Sequence, residues 1–217
     1  MKYLNLTDLV RRLFLCGGGI PRRIKLRYKK RIFRKYALCG ENLELCIRSN
    51  CIADEAGHIQ IGKHCLIYGT LQSQGQGTIT IGDNCTLYER SHIGAVCSIK
   101  IGNCVIISNH VHIFDNNNHP TGPDIRCEMC KHDFHDDAWR WEHSDYAPIF
   151  IEDNVWICEY AAVMKGVRIG KGSIIASHAV VTKDVPPYSI AAGNPARIVK
   201  ELKHNEADQN TSGKCSQ

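Results

Sequence analysis

Apolar residues recur along the chain with two nested periods, and neither is the 3.6-residue period of an amphipathic helix. An Ile-x-Ile-Gly unit begins at Ile59, Ile79 and Ile99, at a constant interval of twenty, and a related unit at Val167 follows the one at Ile149 after an interval of eighteen. Within this period, apolar residues are six apart at Ile151, Ile157, Val163, Ile169, Ile175 and Val181. The residues four positions later are small or β-branched: Val155, Ala161, Val167, Ser173, Ala179 and Val185. A period of six indicates a short strand followed by a corner, repeated.

Three such sides make a coil of eighteen residues, and two extra residues at one corner make twenty. One large apolar residue per side can point into a narrow axial core, while the smaller residue fills the gap beside the corner. Stacked coils pair their backbones in parallel and bury a continuous column. The pattern therefore predicts an all-β fold, a triangular parallel β-helix. A leucine-rich repeat has a similar period, but its leucine pattern and asparagine ladder are absent.

The repeat is interrupted once, between about residues 116 and 147. Ile99 and Ile149 are fifty residues apart, which is one coil of twenty plus roughly thirty more. A loop this long in a compact fold is usually functional or disordered. Because this one contains Trp139, Trp141 and several histidines, we expect a functional loop, which leaves the coil close to His119.

The two ends of the chain do not follow the repeat. Near the N-terminus, Leu6, Leu9, Val10, Leu13 and Phe14 have the spacing of an amphipathic helix, which would stop at the glycines 17–19. A short element at 196–202 is expected to cap the column. We therefore divide the chain into a basic helical or attachment segment (1–40), a β-helix domain (41–200) that contains the loop, and a polar tail (201–217).

Charge is distributed unevenly along the chain. The net charge is +5, but residues 11–35 hold eleven cations and no acid, so the rest of the chain carries 5 − 11 = −6. A mildly acidic body with a basic front end disfavours uniform coating of nucleic acid by charge alone.

Twelve cysteines would suggest a disulfide framework in a small secreted chain. No secretory signal or membrane-spanning run is evident, because Asp8 and Arg11-Arg12 interrupt the apolar start. We therefore expect a cytoplasmic protein with reduced thiols. Four cysteines lie four residues after an isoleucine, where the repeat predicts compact apolar filler: Cys51, Cys65, Cys85 and Cys97.

Four short motifs carry a resemblance to a known family. They are Asn118-His119-Pro120, Asn154-Val155-Trp156-Ile157, the segment Val181–Pro187 and the segment Gly193–Arg197. In this order they resemble the hexapeptide-repeat acyltransferases, and within these the maltose, galactoside and surface-polysaccharide O-acetyltransferases. The resemblance covers roughly residues 40–200. It implies a left-handed parallel β-helix, a homotrimer, and acetyl-CoA as co-substrate in a cleft between subunits.

Acetyl transfer to a hydroxyl requires a base, donors for the developing oxyanion, and two substrates held together. No metal is required. His119 is the candidate general base, by its position at the root of the loop and its match to the family's histidine. The alternative is a loop histidine that only shapes the turn with Pro120. The resemblance places the oxyanion donor at the backbone of Cys158-Glu159, with the N–H of Glu159 as the candidate.

The resemblance also implies acetyl-CoA contacts near the C-terminus. The candidates are Trp156, Cys158, Ser177, Thr182, Lys183 and Arg197. Two of them, Lys183 and Arg197, have the charge to bind CoA phosphates, although solvated surface cations are the alternative. Trp156 lines the cofactor or the subunit cleft, or else packs at a coil corner. Cys158 replaces the family's usual glycine, which would narrow the pantetheine channel.

The acceptor is less well specified. The asparagine and aspartate that hold the sugar in the galactoside enzymes fall near Tyr88 and Val96, so we do not expect a simple galactoside. A group of residues near the predicted site is proposed instead: Arg90, His92, Asn109, His110, Asp115, Asn116, Trp139 and Trp141. Aromatic faces suit sugar rings, although packing is the alternative for any one member.

A metal enzyme of the same fold is one competing hypothesis. His92 and His110 are eighteen positions apart, but the two-residue insertion at Ile99-Lys100 puts them out of stacking phase. Cys127-x-x-Cys130 with His132 and His135 could bind a structural zinc, but no second CxxC pair exists. No metal is expected.

Two further hypotheses stay open. A serine or amino-sugar N-acetyltransferase could use the same fold, although serine acetyltransferases usually carry a larger helical N-terminal domain. A non-catalytic, membrane-attached scaffold is the second. The basic N-terminus, residues 1–35, could itself give peripheral contact with the inner membrane face, where lipid-linked sugars are built.

Overall fold

The computed structural model describes residues 21–203, and within them twenty short strands form a solenoid. The helices are α1 (Arg22–Tyr36), α2 (Pro123–Met129) and two 3-10 turns, Asp137–Trp139 and Trp141–His143. The strands are β1 (Ala37–Cys39), β2 (Glu44–Leu45), β3 (Asn50–Ala53), β4 (Ile59–Ile61), β5 (Leu66–Ile67), β6 (Thr70–Ser73), β7 (Thr78–Ile81), β8 (Thr86–Leu87), β9 (His92–Ala95), β10 (Ser98–Ile101), β11 (Ile106–Ile107), β12 (His112–Phe114), β13 (Ile149–Ile151), β14 (Trp156–Ile157), β15 (Ala162–Val163), β16 (Arg168–Ile169), β17 (Ile174–Ile175), β18 (Val180–Val181), β19 (Ser189–Ala192) and β20 (Arg197–Glu201).

The strands form three sheets, one for each side of the coil. Sheet A has the order β1-β4-β7-β10-β13-β16, sheet B β2-β5-β8-β11-β14-β17-β19-β20, and sheet C β3-β6-β9-β12-β15-β18. Neighbouring strands are parallel except for β19 and β20. Ile59 pairs with Ile79 and Ile79 with Ile99, an interval of twenty, whereas Phe150 pairs with Arg168, an interval of eighteen. The predicted parallel β-helix and both coil lengths are confirmed.

The core is the axial column that the six-residue period predicts. The six principal residues from Ile151 to Val181 are each at most 3% exposed. Their small partners are buried as well, including Ser173, whose hydroxyl donates to the carbonyl of Pro186. The hydroxyl of Ser173 therefore occupies the filler position without leaving an unpaired donor in the core.

The cysteine prediction is correct at two positions and wrong at two. Cys65 and Cys85 are buried filler residues. Cys51 is buried too, but it pairs with Leu71 and takes the principal inward position of β3. Cys97 is only partly buried, because the two extra residues of its coil lie at this corner and Ile99 occupies the site before Ile101.

Two corners of the coil matter for the site. The chain passes from sheet B to sheet C at the B–C corner, which comprises residues 46–49, 68–69, 88–91, 108–111, 158–161 and 176–179. It passes from sheet C to sheet A at the C–A corner, which comprises residues 54–58, 74–77, 96–97, 115–148, 164–167 and 182–184. The long insertion is part of the C–A corner. It closes through a bridge between Asn116 and Tyr146.

The ends of the column are covered by different elements. Phe33 of α1 is fully buried, and Leu26 and Tyr36 pack against the same core, so α1 closes the N-terminal end. The helix predicted between Leu6 and Phe14 and most of the polar tail lie outside the described residues. The expected terminal element exists as β20, an exposed antiparallel strand, while Ala196 packs on the core. No helix in residues 21–203 has the length and apolarity to cross a membrane.

Candidate functional site

His119 lies exposed at the C–A corner, where the insertion leaves sheet C. Its ring meets Trp139 edge to face, with the ring centroids 6.0 Å apart. Asn118 has a φ of 63°, a left-handed conformation that asparagine tolerates, and its N–H donates to Asn116 Oδ1 over 2.9 Å. The asparagines thus turn the chain so that His119 faces solvent.

The root of the loop is anchored to the coils below and above it. Asp115 is fully buried, and its two carboxylate oxygens accept from the N–H groups of Val96 and Cys97 over 2.9 and 2.8 Å. Asn116 is also buried and donates to Asp115 over 3.1 Å. From the next coil, Lys165 donates to the side chain of Asn117 over 2.9 Å. Asp115 and Asn116, predicted to contact the acceptor, here hold the turn that carries His119.

The loop folds back over the outer face of sheet C. Trp141 packs edge to face on Phe114 at 5.5 Å and lies 6.2 Å from His92. A side chain on Gly94 would collide with both Phe114 and Trp141, so the missing Cβ permits this packing. Burial, and then the neighbouring His112, lower the pKa of His92 to about 4. His92 is therefore a neutral packing residue under the loop at physiological pH.

A salt bridge secures the far side of the loop. Arg140 donates to Asp54 over 2.5 Å and to Glu142 over 3.0 Å. Asp54 also accepts from the N–H of Gly75 over 2.9 Å. Partial burial alone would raise the pKa of Asp54, but the bonds from Gly75 and Arg140 outweigh it and lower that pKa. Arg140 thus ties the loop to the first coils of the column.

The candidate oxyanion donor lies at the B–C corner, next to β14. The N–H of Cys158 donates to the carbonyl of Ile175 over 2.9 Å and is therefore used within the coil. The N–H of Glu159 has no acceptor among the described residues, which leaves it able to bind an oxyanion. Burial, and then the Glu159 carboxylate, raise the pKa of the Cys158 thiol, so Cys158 stays protonated at neutral pH.

A ladder of rings follows the same corner. His110 stacks on Tyr160 at 4.5 Å, and Tyr160 stacks on His178 at 4.9 Å. Each residue occupies the equivalent place in its coil with a φ near 60°, as Arg90 does. Asn109 donates to the Glu159 carboxylate over 3.0 Å and thereby orders the corner.

Trp156 points outward from β14 and is 45% exposed. Its indole N–H donates to the hydroxyl of Ser108 over 3.3 Å. Ile106 is its register partner on β11 and is also exposed, so the pair forms an apolar patch on sheet B. Trp156 is thus on the outer face of a strand, with one face open to a ligand or a neighbour.

Lys183 and Arg197 come together at the C-terminal end of the column, although β19 lies between them in the sequence. Both line a cavity of about 150 Å³ between the C–A corner and β20. Thr182 is exposed beside it, and Ser177 is exposed at the B–C corner. Asp184 also lines this cavity, so the lining has two cations and one carboxylate, and the excess of positive charge suits a phosphate group.

The predicted site residues therefore fall into two groups, on opposite edges of sheet C. The B–C corner and adjacent β14 hold Arg90, Asn109, His110, Trp156, Cys158, Glu159 and Ser177. The C–A corner holds Asp115, Asn116, His119, Trp139, Trp141, Thr182 and Lys183, with His92 on the sheet between and Arg197 on β20 beside Lys183. Within one chain, His119 and the Glu159 N–H are therefore separated by the width of sheet C.

Several residues that shape the site were not predicted. The ring ladder could have been found from the coil register, because His110, Tyr160 and His178 follow one another at intervals of fifty and eighteen, as their strands do. The Arg140–Asp54 pair had no such signal, since 86 residues separate the partners and neither belongs to a motif.

The cysteines and histidines of the loop do not form a joint ligand set among the described residues. Cys127 and Cys130 are exposed on and just after α2. The set of three ligand atoms that does converge is carried by Asp137, Glu142 and His143, all exposed. His92 is in register with His112 and not with His110, as the coil lengths predict.

Comparison with known proteins supports the repeat and the fold. Residues 148–183 match the six-repeat bacterial transferase hexapeptide model. A protein of Staphylococcus aureus (strain COL), provisionally named as an acetyltransferase, is 47% identical to this chain over 58 residues. These residues cover 27% of this chain and 29% of that protein. The match thus spans less than a third of that relative's length.

Two solved structures have a similar fold. The N-acyltransferase AntD from Bacillus cereus, solved as a point mutant with dTDP and coenzyme A, superposes with a TM-score of 0.61 at 17% identity, covering 85% of this chain and 92% of that one. A maltose O-acetyltransferase from Clostridium difficile 630 gives 0.51 at 24% identity, covering 92% and 86%. Residues 148–183 are thus a bacterial-transferase hexapeptide repeat, within a parallel β-helix that runs through the described chain.

Proposed function

We propose that this protein is an O-acetyltransferase that moves the acetyl group of acetyl-CoA to a hydroxyl of a sugar, in the biosynthesis of surface polysaccharide. The observation that carries the proposal is His119, an exposed imidazole fixed at the root of an ordered loop and backed by Trp139. The match of residues 148–183 to the bacterial transferase hexapeptide model supports the acyl-transfer chemistry.

In this mechanism His119 accepts the proton of the acceptor hydroxyl as its oxygen attacks the thioester carbonyl carbon. The charge that develops on the carbonyl oxygen is stabilised by the N–H of Glu159. The carbon–sulfur bond then breaks, and the proton passes from His119 to the departing thiolate. The products are the acetyl ester and CoA with a free thiol, and no metal takes part.

The assembly proposed for this reaction is a homotrimer. The separation of His119 from Glu159 by sheet C supports it, because the C–A corner of one subunit can meet the B–C corner of the next. The indole of Trp156 is an exposed apolar surface beside that corner. Light scattering should give three times the chain mass, and a monomeric mass with full activity would contradict the shared site.

Acetyl-CoA is proposed to lie along the C-terminal coils. Lys183 and Arg197 at their common cavity would bind phosphate, and Trp156 and Cys158 would line the path of the pantetheine arm. Thr182 and Ser177 are the flanking contacts. AntD, whose structure holds coenzyme A, has the same fold, although its low identity carries no residue assignment.

Transfer of labelled acetyl from acetyl-CoA to a panel of glycosides, nucleotide sugars and oligosaccharides tests the proposal. We expect product that mild base releases, because an O-acetyl ester hydrolyses where an acetamide does not. Base-stable product would establish the N-acetyl alternative on an amino sugar, and transfer to free serine in place of a sugar would establish the serine alternative. Absence of transfer and of acetyl-CoA hydrolysis would favour the non-catalytic scaffold.

We also propose peripheral attachment at the cytoplasmic face of the inner membrane through α1. Five exposed cations, Arg27, Lys30, Arg31, Arg34 and Lys35, follow the i, i+3, i+4, i+7, i+8 spacing of one helix face and line a shallow cavity of about 450 Å³. They have no ion-pair partner among the described residues. Each cation near an anionic membrane contributes about 1 kcal/mol.

Vesicle flotation tests the attachment. Binding is expected to vesicles that contain phosphatidylglycerol and not to pure phosphatidylcholine, and to weaken in high salt. Arg31→Glu should reduce it, while Lys63→Glu, a charge reversal at an exposed site away from α1, should not. Equal binding by the two variants would contradict a role for α1.

A further inference from the structure

A cavity of about 380 Å³ lies between the insertion and the second coil, close to His119. It is lined by Gln74, Phe134, His135, Asp136, Trp139 and Arg140. We propose that this cavity is the acceptor subsite and holds one pyranose ring of the sugar, an inference that rests on the proposed function. Of the lining residues, only Trp139 was predicted from the sequence to contact the acceptor.

Two aromatic rings form one wall of the cavity. Phe134 is 78% exposed, and its ring is tilted by 43° against Trp139 with the centroids 5.4 Å apart. An exposed phenylalanine beside a tryptophan leaves apolar surface in water, which a ligand face can cover. The C–H face of a pyranose ring is such a surface, and sugars pack on aromatic rings in this way.

The other residues that line the cavity are polar, and their charges include both signs. The side-chain carbonyl of Gln74 accepts a hydrogen bond from the backbone N–H of Trp141 over 3.0 Å. The side-chain Nε2 of Gln74 therefore has no hydrogen bond among the described residues. Arg140 and Asp136 add a guanidinium and a carboxylate. Hydroxyl groups both donate and accept, so a neutral sugar can pair with all three kinds of group.

The position of the cavity connects it to the reaction. Trp139 lines it and meets His119 edge to face at 6.0 Å, so a ring on Phe134 and Trp139 lies next to the candidate base. A volume of about 380 Å³ is near the lower end of small-molecule sites and suits one sugar residue with open space for a longer chain.

The walls are held in place without a ligand. Arg140 bonds Asp54, Trp141 packs on Phe114, and Gln74 is fixed by the backbone of Trp141. These contacts join the insertion to the first coils. A preformed cavity reduces the ordering cost of binding, which favours a subsite over a loop that orders only on contact with substrate.

Kinetics of Phe134→Ala test the subsite. Its matched control is Ile125→Ala, another exposed apolar residue of the same insertion, outside the cavity. At saturating acetyl-CoA, Phe134→Ala should raise the acceptor KM about five- to tenfold, since a stacking surface is lost. Its KM for acetyl-CoA should stay unchanged, and Ile125→Ala should match wild type in both KM values. An unchanged acceptor KM in Phe134→Ala overturns the subsite.

Binding without catalysis separates this inference from the proposed function. Saturation-transfer NMR with methyl glycosides of glucose, galactose, N-acetylglucosamine and glucuronic acid should show transfer to the ring protons of at least one, lost in Phe134→Ala. This result would support the subsite even if no acetyl transfer were found. No saturation transfer with wild type overturns it. A fall in molar mass of Phe134→Ala by light scattering also overturns it, because Phe134 would then be a contact between copies.

Discussion

Asp115 joins the root of the insertion to the preceding coil. Its carboxylate is fully buried and satisfies two backbone N–H groups of the preceding coil, those of Val96 and Cys97. The sequence places Asp115 near His119 but does not show which way its side chain points. A polar residue beside a candidate base suggested acceptor contact, whereas burial and two backbone bonds give it a structural role.

Asp115→Ala should lower the free energy of unfolding by about 2–4 kcal/mol, because two donors lose their acceptor. Urea denaturation measures this change. Asp184→Ala is the matched control, since the exposed Asp184 accepts a single backbone bond from Arg168, and it should cost about 1 kcal/mol or less. If Asp115→Ala lowers the free energy of unfolding no more than Asp184→Ala does, water satisfies the N–H groups of Val96 and Cys97 in the variant.

His92 makes the packing under the insertion sensitive to acid. Its pKa is about 4 in the fold against an ordinary 6.5, so the folded state binds fewer protons than the unfolded state between these values. Stability therefore rises with pH through this window and is complete above about 6.5. Between pH 7 and pH 5, wild type should lose on the order of 1 kcal/mol more than His92→Phe. Thermal melts at both pH values test this, and equal losses would contradict it.

The strand pattern was the most predictable level of structure. Six-residue periodicity comes from local sterics and one buried residue per side, so it fixes the sheets before any long-range contact is known. It failed where two extra residues changed the register at Cys97. It also did not predict α1, because nine of the fifteen residues 22–36 are basic and its helix is stabilised by a tertiary contact, that of Phe33 with the column.

Adjacent isoleucines on β11 test the inward and outward assignment directly. Ile107 is 2% exposed in the column, and Ile106 is 44% exposed on the outer face of sheet B. Ile107→Ala should cost about 2–5 kcal/mol in the free energy of unfolding. Ile106→Ala should cost about 0.5 kcal/mol or less. Urea denaturation compares them, and similar costs would contradict the register.

At the scale of the whole molecule, the β-helix separates the predicted catalytic groups. The motif resemblance placed the cofactor in a cleft between subunits, and the fold adds which groups that cleft would bring together, because His119 and Glu159 lie at opposite edges of sheet C. A single sequence does not show this, because motif order along a chain gives no information on which edge faces a neighbour. The packing of the insertion on Asp54 and Phe114 was equally out of reach, since it joins residues distant in sequence.

The most direct test of acyl transfer by His119 is the rate of acetyl transfer from acetyl-CoA by His119→Ala. His143→Ala, which alters another exposed histidine of the same insertion, is the control. We predict a loss of about a hundredfold or more for His119→Ala, with unchanged melting temperature and molar mass, and near wild-type transfer for His143→Ala. Full transfer by a folded His119→Ala protein would contradict the account.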